Sequence, residues 1–173
     1  IDQFMQREFG LYFDKDAEHA KKGTVDKSLL TALMQNSFFE AKLPKSTGPE
    51  LFNLEYLDSC IAKTNAKISS FDILATLCEF TSTGISQALK NVDTGFDLIV
   101  SGGGIHNPLI MDRLKHHLPL ANFKNIEEFG ISADAKEAIL FALLANETLA
   151  GETVDFKTKT VPNICMGKIC FPN

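Results

Sequence analysis

The chain has 173 residues, 45% of them hydrophobic, with 14 phenylalanines and no tryptophan, which supports one domain or slightly more around a Leu/Ile/Phe core. Its formal net charge of −5, with basic pairs no longer than Lys21-Lys22 and Lys157/Lys159, argues against a nucleic-acid partner. No apolar stretch reaches the ~18 residues that a membrane span needs, and the opening Ile1-Asp2 carries no signal-peptide pattern.

The first 90 residues read as mainly helical. Phe4, Met5, Phe9, Leu11 and Tyr12 make an apolar opening. Asp26 is placed to cap a short helix in which Leu29, Leu30, Leu33 and Met34 recur at helical spacing. Two prolines and a glycine across Leu43–Glu50 demand a loop, and a helix is expected over Leu51–Ile61. Ser69 and Ser70 cap the next helix, whose single apolar stripe is Phe71, Leu74, Leu77, Cys78, Thr81, Ile85, Ala88 and Leu89. Gly84 weakens its middle by roughly 1 kcal/mol relative to Ala, so burial must hold it.

From residue 91 onward the pattern changes to strand, glycine loop, helix, strand, helix, with an extended tail around Val161, Ile164 and Ile169. Phe96–Val100 is β-rich and stops at glycines; a central strand is expected over Phe96–Ser101. Asn107 and Pro108 have the N-cap and N1 chemistry of a helix running to Leu118, with Leu109, Ile110 and Leu114 on its apolar side and Pro119 ending it. Ala121–Ile126 suits a second strand. Asp134 and Glu137 have capping-box spacing before a helix with Ala135, Ala138, Ile139, Ala142, Leu143 and Leu149, stopped at Gly151. The alternation is an α/β signature.

Cys60, Cys78, Cys165 and Cys170 include no Cys-x-x-Cys pair and match no zinc pattern; they read as free, mostly buried thiols of a reducing compartment. His116 and His117 occupy consecutive helical positions and make no metal pair; they read as solvated helix residues. No metal site is expected, and no Ser/His/Asp or Cys/His arrangement is legible.

Ser101-Gly102-Gly103-Gly104-Ile105-His106-Asn107 is the most informative stretch. Three glycines after a strand offer backbone angles and close approach that side chains deny. The helix that follows brings unpaired N–H groups and a positive dipole end. Two readings stay open from the residues: a cradle for a phosphate or flat base, and a tight turn that binds nothing. Gly-x-Gly-x-x-Gly fails because Asn107 stands at its last position, and no Gly-Lys-Ser/Thr follows for a P-loop. His106 reads as a surface turn residue, with ligand contact the alternative.

Three segments in order resemble the anhydro-N-acetylmuramic acid kinases. Lys45-Ser46-Thr47-Gly48-Pro49-Glu50-Leu51-Phe52-Asn53 is similar to that family's Pro-Lys-Ser-Thr-Gly-Arg-Glu stretch. Val100–Leu109 resembles its Gly-Gly-Gly-x-His-Asn-Pro motif, and Glu128–Ala138 its Gly-Ile-x-x-Asp-Ala-x-Glu-Ala motif. Phe141–Ala145 and Leu149-Ala150-Gly151 continue the likeness over essentially the whole chain. Leu43 stands where the family has proline, and Pro49 where it has arginine.

The resemblance implies an incomplete ribonuclease-H-like lobe of the hexokinase/Hsp70/actin superfamily, a C-terminal lobe spanning residues 1–173. It implies a cytoplasmic cell-wall recycling kinase that uses ATP, with Mg2+, and water to open the 1,6-anhydro sugar ring and phosphorylate O6. Gly102, Gly103 and Gly104 would then pass beneath the nucleoside, and Asn107 would fix the loop or touch the nucleotide. Glu137 would reach the sugar. The family's phosphate loops and its general-base aspartate lie upstream of Ile1-Asp2, so no catalytic residue is assigned here and the chain alone is expected to be inactive without its N-terminal lobe. An unpaired strand edge would invite self-association into a homo-oligomer. A non-enzymatic nucleotide-binding or regulatory module of the same superfamily is the competing expectation.

Overall fold

The computed structural model describes residues 1–64, 67–92 and 94–150, and these fall into two compact units divided after Lys124. The expected tail around Val161, Ile164 and Ile169, with Gly151, Cys165 and Cys170, lies outside the described residues.

The first unit carries helices α1 (Asp2–Phe9), α2 (Lys27–Met34), α3 (Leu54–Thr64) and α4 (Ser70–Ala88), then strand β1 (Phe96–Val100), helix α5 (Pro108–His117) and all but the last residue of strand β2 (Ala121–Asn125). Asp26 caps α2 by accepting the Leu29 N–H at 2.8 Å. Ser69 caps α4 by accepting the Asp72 N–H at 3.1 Å. Both starts follow from a short oxygen-bearing side chain meeting an orphan first-turn donor. Helix α3 begins later than the expected Leu51, because Asn53 takes the cap and accepts the Tyr56 N–H at 2.9 Å.

Helix α4 is the axis of the core. Leu74, Leu77 and Cys78 are buried against Phe4 and Met5 of α1, Leu29 and Leu33 of α2, Leu57 and Cys60 of α3, and Ile110 and Leu114 of α5. The expected single stripe is too narrow, since Ile73, Ala75 and Thr76 are buried as well and Ile85 is exposed. Thr76 is accommodated because its hydroxyl donates to the Asp72 carbonyl (2.7 Å) and accepts the Asp26 N–H (2.9 Å). Gly84 has a packing reason: a Cβ there would meet the Phe39 ring at 3.1 Å. Phe39 belongs to an aromatic cluster with Phe38, Phe52 and Phe80, with ring centroids 5.5–5.7 Å apart.

Strands β1 and β2 pair in parallel through the α5 crossover. Asp97 of β1 accepts from Lys124 (2.7 Å) and Asn122 (2.8 Å) of β2, and those bonds hold its carboxyl below the usual range. The sequence predicts a central strand over Phe96–Ser101; the strand ends at Val100, and among the described residues the sheet has two strands, so β1 has one paired edge.

In the second unit, helix α6 runs Lys136–Ala150. The expected Asp134–Glu137 capping box does not fit this start: the first helical bond is Ile139 N–H to the Ala135 carbonyl, which places Asp134 before the cap position. A capping box sits instead at Asn125 and Glu128, where Glu128 accepts the Asn125 N–H at 2.7 Å and a 3-10 turn follows over Ile126–Phe129. No side chain of α6 is buried; Leu140, Phe141, Leu143 and Leu149 are more than half exposed. No helix among the described residues is long and apolar enough to cross a membrane.

Candidate functional site

The glycine loop leaves the carboxyl end of β1 and enters α5 through a 3-10 turn over Gly103–His106. Its three glycines differ in what they require. Gly102 has φ +81°, a conformation that calls for glycine. Gly103 and Gly104 lie outside that left-handed range, are exposed, and have no described atom within 4 Å of where a Cβ would stand. Neither backbone angle nor packing among the described residues asks for glycine at these two positions.

Asn107 is engaged on every side. Its Oδ1 accepts the Ile110 N–H (3.0 Å), which caps α5, and its Nδ2 donates to Cys78 Sγ (3.6 Å) on α4. Its backbone N–H donates to the Gly104 carbonyl (3.2 Å), and its carbonyl accepts from Met111 (3.1 Å). Pro108 has no N–H and Asn107 occupies that of Ile110, so the first turn of α5 offers fewer free donors than the sequence pattern suggests. Burial pushes the Cys78 thiol up to about 11, so the sulfur facing Asn107 is a neutral thiol. His106 is exposed at the end of the turn.

Helix α5 is held to α4 by further polar contacts. Glu79 meets Arg113 Nε at 3.1 Å and His117 Nε2 at 2.8 Å. Arg113 also donates to the Ala75 carbonyl at 2.6 Å, and the buried Ser82 hydroxyl reaches the Ile110 carbonyl at 3.3 Å. His117 is therefore an interhelical contact rather than a solvated residue; His116 is exposed. Among the described residues, no group of three or more His, Cys, Asp or Glu is placed to share a metal ion.

Lys45 points inward. Its ammonium donates to the Phe38 (2.7 Å) and Phe39 (3.2 Å) carbonyls and lies 4.6 Å from the centroid of the Phe38 ring. Ser46 and Thr47 beside it are exposed. Glu137 is exposed in the first turn of α6, in the second unit, while Gly102–Gly104 and Asn107 lie in the first. The Asn107–Cys78 and Glu79–Arg113–His117 contacts bridge partners more than 30 residues apart or nearly so, and no spacing signal in the sequence announces them.

The family model for anhydro-N-acetylmuramic acid kinase matches residues 1–162. The chain belongs to the anhydro-N-acetylmuramic acid kinase family. It is 44% identical over 179 aligned residues to the anhydro-N-acetylmuramic acid kinase of Pseudoalteromonas translucida, covering 99% of this chain and 45% of that protein. The corresponding kinase of Pseudoalteromonas atlantica is 41% identical, with 100% and 45% covered, and that of Vibrio cholerae 39% identical, with 87% and 41% covered. The chain thus spans a little under half the length of the curated relatives it matches. Within the kinase family frame, the Lys45–Asn53 and Val100–Leu109 segments both lie in the first unit, whereas Glu128–Ala138 lies in the second.

Proposed function

We propose that this chain supplies the C-terminal, nucleotide-gripping part of an ATP-dependent anhydro-N-acetylmuramic acid kinase, a ribonuclease-H-like lobe whose glycine loop receives the nucleoside of ATP. The observation that carries this reading is the open space over Gly103 and Gly104. A glycine that the fold does not require is explained by a ligand that a Cβ would strike. In the whole protein the reaction opens the 1,6-anhydro ring with water and places the γ-phosphoryl group of ATP on O6. This chain's part is to bind and orient the nucleotide so that transfer becomes a matter of position. Asn107 fixes the loop and Glu137 approaches the sugar. Mg2+ accompanies ATP in such chemistry, and no residue here is assigned to it.

In the full-length kinase, Gly103→Val and Gly104→Val are expected to weaken ATP binding by more than about tenfold, or ~1.4 kcal/mol. Sugar binding without nucleotide and the denaturant midpoint should stay near wild type, because no described protein atom is struck. Wild-type ATP affinity in both folded variants would reduce the loop to a turn and remove the nucleotide assignment.

A further inference from the structure

Glycines bring no side chains to hold a loop, so the lie of Gly102–Gly104 is set by what grips its ends. One end is strand β1. At the other, Asn107 closes the 3-10 turn through its N–H and reaches across to α4 through Nδ2. Its Oδ1 is committed to the Ile110 N–H, which fixes the carboxamide plane and leaves Nδ2 facing Cys78 Sγ. The acceptor is fully buried and lies on the helix at the centre of the core.

We propose that Cys78 is a positioning residue for nucleotide binding: through Asn107 it sets the distance between α4 and the glycine loop, and so the height of the loop floor under the nucleoside. The inference rests on the nucleotide reading above and extends it to a residue with no place in the glycine motif. The remaining α4–α5 contacts serve as an internal contrast. Glu79 with Arg113 and His117 fastens the part of α5 farther along the chain from the loop, so loosening it should loosen the helix pair without lowering or raising the loop floor.

The test uses the full-length kinase with four variants, reading KM for ATP, KM for the anhydro sugar and the denaturant midpoint. Cys78→Ala removes the acceptor and is expected to raise KM for ATP by up to about tenfold, the limit reached if the full free energy of the lost hydrogen bond is felt at the nucleotide, with KM for the sugar unchanged. Cys78→Ser keeps an acceptor and should recover most of that loss. Glu79→Gln should lower the midpoint and leave KM for ATP alone. Gly103→Val reports on the nucleotide reading itself. If Gly103→Val raises KM for ATP while folded Cys78→Ala does not, the positioning role is wrong and the nucleotide reading stands. If neither variant moves it, both fall. Should Cys78→Ala fail to fold, Asn107→Ser replaces it, since serine still caps Ile110 but is too short to reach Sγ; a wild-type KM for ATP in that variant overturns the proposal equally.

Discussion

Two glycines of the first unit should respond to alanine in opposite ways. Gly23 lies outside the left-handed range, so its backbone would accept a side chain, but a Cβ there would overlap the Phe71 carbonyl and approach Asp72 N to 2.6 Å. Both obstacles are backbone at the start of α4, so relief requires the two segments to part. Parting them strains three bonds: Thr24 N–H and Oγ1 to Asp72 Oδ1 (2.7 and 3.2 Å) and Asp26 N–H to Thr76 Oγ1 (2.9 Å). Overpacking costs ~1–3 kcal/mol and each weakened bond up to about 1 kcal/mol. Gly23→Ala should therefore destabilise by about 3–4 kcal/mol. With a urea slope of ~2 kcal/mol per molar, the midpoint falls by roughly 1.5–2 M. Gly104→Ala meets no described atom and should be neutral or gain up to ~0.5 kcal/mol through a stiffer unfolded chain. Urea melts of the 173-residue chain followed by circular dichroism compare the two. A Gly23→Ala midpoint within about 0.5 M of wild type, or an equal loss in Gly104→Ala, would refute the reasoning.

Alkaline stability should expose the buried thiol of Cys78, raised from 9.0 to about 11 by burial. Below pH 9 both folded and unfolded chains keep that proton and its contribution is intact; between 9 and 11 the unfolded chain releases it first, so stability falls by up to ~1.4 kcal/mol per pH unit. Cys78→Ala should flatten that part of the urea-midpoint profile, leaving the later loss expected from Tyr56, raised to about 12; an unchanged slope would contradict it. At the α4–α5 interface, Glu79→Ala and Arg113→Ala should show a coupling of about 1–2 kcal/mol in a double-mutant cycle. The carboxylate and guanidinium are both largely buried at 3.1 Å, and strict additivity would argue that the pair contributes nothing.

The elements most legible in the sequence are those specified by local chemistry. Asn107-Pro108 opens α5 because the cap and the fixed proline φ act within one turn. Asp26 and Ser69 mark their helices in the same way. Local pattern misleads where tertiary contact decides. The polar Thr76 and Ser82 are buried because α4 is surrounded, which a one-stripe reading cannot anticipate. Gly84 reads as a weakness and serves as the seat of Phe39. The turn at Asp16 and Ala17, with φ of +52° and +56°, contains no glycine to announce it. It is framed by Asp14, whose buried carboxylate accepts the His19 and Ala20 N–H groups at 2.9 Å each.

The glycine motif divides along the same line between local and long-range causes. Gly102 is explained inside the chain by its angle, whereas Gly103 and Gly104 are not explained by angle or by described neighbours. Asn107 carries the opposite lesson. It looks like a ligand contact in the motif, yet its side chain is spent on α5 and on Cys78, so under the proposed nucleotide reading its influence would run through the backbone it holds. Lys45 repeats this in the Lys45–Asn53 segment, where its charge is turned onto two carbonyls and an aromatic face. A motif residue that is satisfied within the protein shapes a site, and one that is unexplained by the protein points to what the site receives. On that division the proposed nucleotide site would draw its chemistry from the bare backbone of Gly103 and Gly104, and its geometry from Asn107 and the thiol behind it.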